Sequence, residues 1–211
     1  MEVFNTSILK KLYVPPPGSH KGQNGKLLII GGSHLFHAAS LWSLEIASRI
    51  CDMVFYSSVP QNNEIVLQEK RLFRNGIIVE REHVEEYVQE ADCVLIGPGM
   101  VRTEKEKIKE SLHVRSLDEV SLTTDEGIQT YLITKYLLQK YPKKRWVVDA
   151  GALQMMEEDW LEGMEQVILT PHPKEFHRLF HSDGSPEHIA SLAKKYHLTI
   201  LLKGKTDIVC S

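Results

Sequence analysis

Long apolar runs are missing from this 211-residue sequence. None approaches the ~18 residues needed to span a bilayer, and Met1 to Lys11 lacks the apolar core of a secretory leader. A cytoplasmic setting is the expectation. Cysteine is scarce: Cys51, Cys93 and Cys210 lie far apart, each in or beside an apolar stretch, and no C-x-x-C pair occurs. That pattern argues against a thiolate metal site or a disulfide framework and fits buried, reduced thiols. A charge excess is lacking too. The 25 basic and 28 acidic residues leave a formal net charge of −3 spread along the chain, too weak a field to attract a nucleic-acid backbone. The histidines, His34 and His37 included, show no ligand spacing backed by acidic or thiol partners, so no metal is assigned to them.

What is present is an ordinary globular mixture, 42% apolar and 25% charged, of a length that suits one domain. Residues 1–25, with Pro15, Pro16 and Pro17, read as an N-terminal arm or loop, and 26–211 as the domain. Within the domain, short runs rich in Val, Ile and Leu recur at Lys26–Ile30, Met53–Tyr56, Cys93–Ile96, Trp146–Val148, Val167–Leu169 and Thr199–Leu202, as in strands buried on both faces. Ile208 to Cys210 is also strand-like. Between the runs, Ala38–Ile50 is apolar nearly all round and reads as a buried helix. Glu126–Tyr141 places Ile128, Tyr131, Leu132 and Leu138 on one side and reads as an amphipathic surface helix. Lys105 to Asp125 is polar and mixed in charge, and its second half reads as a surface loop. Strands alternating with helices imply βαβ units, a mostly parallel sheet and the α/β class.

In an open parallel sheet, ligands bind beyond the carboxyl ends of the strands. Five runs end there in unusual residues: Gly31-Gly32-Ser33, Gly97-Pro98-Gly99, Asp149-Ala150-Gly151, Thr170-Pro171-His172-Pro173 and Lys203-Gly204. Each has an ordinary reading, because Gly and Pro punctuate turns in any α/β protein. Asp149 could cap the next turn or serve a ligand. His172, between two prolines, could be an exposed imidazole on a rigid turn or a ligand contact. Lys203-Gly204-Lys205 could be a solvated basic turn or a phosphate site. Converging on one edge, they would line a cleft suited to nucleotides.

The ordered set of motifs resembles the ADP/ATP-dependent NAD(P)H-hydrate dehydratases of the ribokinase-like superfamily. It runs from His20-Lys21-Gly22 ahead of KLLIIGGS, through Phe36–Ser40, IGPG at Ile96–Gly99, VVDAGAL at Val147–Leu153 and LTPHPKE at Leu169–Glu175, to LLKGKTDIV at Leu201–Val209. The resemblance implies a three-layer α/β/α sandwich. It also implies a reaction in which a nucleotide phosphorylates the hydroxyl of hydrated NADH or NADPH and phosphate is then eliminated. By position, Ala39, Gly99, Asp149 and His172 would meet the hydrated cofactor. Lys203, Gly204, Lys205, Thr206 and Asp207 would border the nucleotide, ADP or ATP, with Mg²⁺ screening its phosphates. A homo-oligomer is a further implication.

Some positions depart from the family pattern. Phe36-His37-Ala38-Ala39-Ser40 stands where Tyr-x-Gly-Ala-Pro is usual, Met100 and Val101 follow Gly99 in place of Leu-Gly, and Lys174 replaces a glycine. Ala38 and Val101 add side chains where backbone might approach a ligand. The family's G-T-G-D segment, with the aspartate that acts as base, would follow Ser211. The C-terminal elements of the fold are therefore expected to be missing, and the chain alone is expected to be inactive or strongly impaired. Two other readings compete: a small-molecule kinase on the same scaffold and a non-catalytic nucleotide-binding fragment.

Overall fold

The computed structural model describes residues 5–71, 75–108 and 114–211. Eight strands, β1 (Lys26–Ile30), β2 (Met53–Ser57), β3 (Ile77–Ile78), β4 (Cys93–Ile96), β5 (Arg145–Val148), β6 (Gln166–Leu169), β7 (Thr199–Leu202) and β8 (Ile208–Cys210), form one sheet in the order β3-β2-β1-β4-β5-β6-β7-β8. Neighbours run parallel except β7 and β8, which pair antiparallel. The six expected strands are present within a residue of their predicted bounds. The two-residue β3 is too short to leave a periodic signal.

Among the described residues eight α-helices connect them: α1 (Ala38–Ala47), α2 (Pro60–Glu69), α3 (Val84–Glu90), α4 (Leu117–Val120), α5 (Glu126–Lys140), α6 (Ala150–Met155), α7 (Pro173–Phe180) and α8 (Pro186–Tyr196). Local chemistry sets several boundaries. The Asp125 carboxylate accepts from the N–H groups of Gly127 and Ile128 and so starts α5. Pro60, Pro173 and Pro186 stand at the first turns of α2, α7 and α8, where the missing N–H costs nothing.

The two sheet faces are covered unequally. Alternate residues of all the longer parallel strands, among them Leu28, Ile30, Phe55, Val94, Ile96, Trp146, Val148, Val167, Leu169 and Ile200, enter one large core with side chains of α3 to α8. On the opposite face a smaller core joins Ile29, Val54 and Tyr56 to Leu44 and Ala47 of α1 and Val66 of α2. That second layer centres on β1 and β2, with Ile78 of β3 and Leu95 of β4 partly buried against it. Ile168 on β6 is 41% exposed and Val209 on β8 is 63% exposed. Burial on both faces therefore holds for β1 and β2, whereas β5 and β6 alternate between buried and less buried positions because no described helix packs on their outer face.

Two helix expectations are corrected. Despite its apolar composition, α1 buries only Ser40, Leu44 and Ala47 and leaves Trp42 and Ile46 exposed, because it meets the sheet along one narrow stripe. By contrast α5, read as a surface helix, lies deep between α4, α6 and the sheet, with Tyr131, Leu132, Ile133, Leu137 and Leu138 all buried. Within the polar stretch 105–125, residues 109–113 lie outside the described residues. Leu117–Val120 is a helical turn and not loop, because Leu117 and Val120 anchor it to the core. Of the N-terminal arm, Thr6–Lys11 forms a 3₁₀ turn that buries none of its residues. Among the described residues no helix is long and apolar enough to cross a membrane.

Candidate functional site

At the carboxyl edge of the sheet, backbone hydrogen bonds stitch the loops together. Gly32 N–H donates to the Pro98 carbonyl at 2.7 Å, Gly97 N–H to Ile30 at 2.9 Å, Asp149 N–H to Ile96 at 3.0 Å, and Lys203 N–H to Pro171 at 2.8 Å. The loops after β1, β4, β5, β6 and β7 thus form one continuous rim. At Gly97, with φ of +119°, a Cβ would sit 1.8 Å from the Asp149 carbonyl, so this glycine serves the contact between the β4 and β5 loops.

Beyond the rim, between the loops after β1 and β4, opens a cleft of about 870 Å³ lined by Leu35, Phe36, His37, Ala38, Ala39, Trp42, Gly99, Met100, Val101, Arg102, Ala150, Gly151 and Gln154. Ala39 and Gly99 therefore share one cavity. Its walls are mainly apolar and aromatic, with His37, Arg102 and Gln154 as polar points, the usual composition of a small-molecule site. Ala38 and Val101, two of the departures noted in the sequence, are among the lining residues. Ala150, also in the wall, has φ of +43°, a conformation that costs an alanine about 1 kcal/mol.

His172 and Asp149 lie outside that lining but are tied to it. His172 is the N-cap of α7: its Nδ1 accepts from the N–H groups of Lys174 at 3.1 Å and Glu175 at 3.2 Å, while Glu175 Oε2 accepts from the His172 N–H at 2.9 Å. This reciprocal capping box fixes Nδ1 as an acceptor and puts the neutral ring's proton on Nε2. Glu175, only 5% exposed, also accepts from Gln154 Nε2 at 2.7 Å. A chain of contacts thus runs from the cleft through Gln154 and Glu175 to His172.

The Asp149 side chain makes no capping bond to α6. Its Oδ1 instead accepts from Thr170 Oγ1 at 2.8 Å and from Lys203 Nζ at 2.6 Å, joining the ends of β5, β6 and β7. Lys205, Thr206 and Asp207 are exposed in the turn between β7 and β8, where Asp207 Oδ1 accepts from the Gly204 N–H at 3.0 Å. The predicted residues therefore fall into two adjoining groups. Ala39 and Gly99 face the cleft, and Asp149 and Lys203 form a charged pair beside it at the head of the 203–207 turn. Sequence reading missed Trp42, Arg102 and Gln154 as cleft residues and Glu175 as the partner of His172. Only the last left a signal, the three-residue spacing of a capping box.

Comparison with known proteins bears on the same residues. The family model described as NAD(P)H-hydrate dehydratase matches residues 27–211. An ADP-dependent (S)-NAD(P)H-hydrate dehydratase from Nitrosopumilus maritimus is 30% identical over 214 aligned residues, covering 97% of this chain and 68% of that protein. A ribokinase-like superfamily protein from Enterococcus faecalis superposes with a TM-score of 0.74 at 20% identity, covering 98% of this chain and 67% of its own. The ADP/ATP-dependent NAD(P)H-hydrate dehydratase of Bacillus subtilis, co-crystallised with ATP and Mg²⁺, gives 0.65 at 19% identity, covering 94% and 65%. The fold is ribokinase-like, and the chain spans about two thirds of the length of each of these proteins. With the model matching nearly the whole domain, the chain belongs to the NAD(P)H-hydrate dehydratase family.

Proposed function

We propose that this chain carries the hydrated-cofactor cleft and part of the nucleotide site of an NAD(P)H-hydrate dehydratase that uses ADP or ATP. In that reaction the ring hydroxyl attacks the terminal phosphoryl group of the nucleotide, releasing AMP or ADP. The phosphate then leaves with its C–O bonding electrons as the ring loses a proton, which restores NADH or NADPH. The observation that carries this reading is the convergence of Ala39 and Gly99 on one apolar cleft, connected through Gln154 and Glu175 to His172.

In this reading the aromatic and aliphatic wall takes the flat ring and excludes water from it. His172, held at the start of α7 with Nε2 3.4 Å from Glu175 Oε1, borders the ligand. Lys203 offers positive charge at the edge where the nucleotide enters, and the turn to Asp207 borders the adenylate. A divalent cation, Mg²⁺, would accompany the nucleotide phosphates, as the co-crystal of the Bacillus subtilis relative with ATP and Mg²⁺ suggests, since Mg²⁺ commonly takes much of its shell from substrate phosphates. When bound, it would neutralise charge on the transferring phosphoryl group.

The test is incubation of a form of the protein that spans the full length of its relatives with hydrated NADH, Mg²⁺ and either ADP or ATP. Regeneration of nicotinamide absorbance with release of phosphate is expected. Accumulation of a stable phosphorylated product would point to a kinase instead, and nucleotide binding without turnover to a non-catalytic module.

A further inference from the structure

Beneath the cleft wall lies a polar network with no role in the chemistry above. His37 occupies the N-cap position of α1, yet its side chain makes no capping bond. Its Nδ1 is hydrogen-bonded to Oδ1 of Asn62, a residue with no solvent exposure. Asn62 Nδ2 in turn donates to the buried Ser58 Oγ at 3.0 Å. The amide also packs over Gly32, where a Cβ would lie 1.9 Å from Asn62 Nδ2. The backbone beside the ring is fixed as well. The His37 carbonyl accepts from Ser40 Oγ at 3.0 Å, and Ser40 Oγ is 2.8 Å from the hydroxyl of the fully buried Tyr56. Burial pushes the Tyr56 phenol above its ordinary range, against the opposing effect of hydrogen bonds with Ser40 and Ser58, so it remains a neutral partner.

The consequence is a fixed tautomer. Because Asn62 Nδ2 is committed to Ser58, its oxygen is the atom offered to His37, and the imidazole must donate from Nδ1. In the neutral ring Nε2 is then an acceptor, on the side away from Asn62, in a residue that lines the cleft. Asn62 of α2, backed by Ser58, holds the imidazole directly, while Ser40 of α1 and Tyr56 of β2 fix the backbone beside it.

We infer that His37 is a ligand-binding residue of the cleft, its Nε2 accepting a hydrogen bond from a donor on the nicotinamide end of the cofactor, and that Asn62 is its positioning residue. This rests on the reading of the cleft as a hydrated-cofactor site. Two donors have the required chemistry, the hydroxyl of the hydrated ring and the carboxamide N–H.

Calorimetric titration of the protein with hydrated NADH and, separately, with NADH tests it. Loss of one directed hydrogen bond in His37→Ala is expected to weaken hydrated NADH roughly 5- to 30-fold. His37→Gln, whose amide oxygen can accept, should recover part of the loss. Asn62→Ala should weaken binding while His37 is present and add nothing in the double variant, a coupling that general loosening would not produce. Should Asn62→Ala fail to fold, the two His37 variants decide. A loss confined to hydrated NADH identifies the hydroxyl as the donor, and an equal loss with NADH identifies the carboxamide. Wild-type affinity in His37→Ala for both compounds would overturn the inference alone. Failure of the wild-type protein to bind either compound would overturn the cleft assignment with it.

Discussion

Lys203 Nζ lies 2.6 Å from Asp149 Oδ1, a link from the end of β7 to the end of β5 that passes across β6 and also takes in the Thr170 hydroxyl. It ties together the ends of β5, β6 and β7, beside the turn proposed to border the nucleotide. Both side chains are partly exposed, so the pair is screened by water and its contribution is modest. Asp149→Asn and Lys203→Met are each expected to lower stability by about 1 kcal/mol in urea denaturation. The double variant should lose less than the sum. Additive losses would mean that the two groups do not interact.

Gly97 and Gly163 both have positive φ, but only Gly97 has a neighbour where a Cβ would go. Gly163→Ala should therefore show backbone strain alone, about 1 kcal/mol. Gly97→Ala adds a collision with the Asp149 carbonyl and should lose about 3 kcal/mol or more. Chemical denaturation of both variants separates the two effects. Equal losses would remove the loop-packing role assigned to Gly97.

Glu175 holds both Gln154 at the cleft and the backbone of His172. Glu175→Ala leaves those donors without their acceptor in a buried setting and is expected to lower stability by about 1 to 3 kcal/mol. It should also weaken binding of hydrated NADH, whereas Glu175→Gln, which keeps one oxygen, should be milder in both respects. Unchanged ligand affinity in a folded Glu175→Ala protein would disconnect His172 from the cleft.

A pH effect arises away from the site, where Glu85 accepts from Tyr136 at 2.7 Å, from Tyr141 at 2.8 Å and from Lys140. Burial by itself would raise the Glu85 carboxyl, but these three hydrogen bonds outweigh it and hold the group below its ordinary 4.5. A folded-state value below the unfolded one means that the stabilisation is complete above pH 4.5 and is lost as pH falls through the folded value. The stability of Glu85→Gln should then depend less on pH than wild type below that point. Parallel curves would show that Glu85 does not contribute.

Much of this architecture was legible because parallel strands buried on at least one face are short, apolar and bounded by glycine, as KLLII before Gly31-Gly32 and CVLI before Gly97 illustrate. The loops carrying Gly99, Asp149, His172 and Lys203, and the helix start carrying Ala39, could be placed on one edge for the same reason. Periodicity could not tell how α1 and α5 are covered. The apolar face carrying Trp42 and Ile46 looks the same in sequence whether or not a neighbour packs on it, and the burial of α5 depends on α4 and α6 closing over it. The pairing of Asp149 with Lys203 and the hold of Asn62 on His37 were hidden because the first joins two strand ends and the second the starts of two helices, contacts that only the register of the sheet creates. The glycines have two readings in sequence, turn punctuation or room for a ligand. Gly97 proved to be room for a neighbouring loop, while Gly99 lines the cleft.

Trp42 lines the cleft and is 67% exposed, whereas Trp146 and Trp160 are buried in the core, so a ligand entering the cleft has one tryptophan within direct reach. Titration with hydrated NADH, followed by tryptophan fluorescence and by calorimetry in wild type and in Trp42→Phe, measures occupancy of this cleft most directly. The expected result is a saturable fluorescence change in wild type that is lost in Trp42→Phe while the heat of binding persists. Absence of saturable heat in the wild-type protein, or a fluorescence change that survives in Trp42→Phe, would contradict the assignment of the cleft between the β1 and β4 loops as the hydrated-cofactor site.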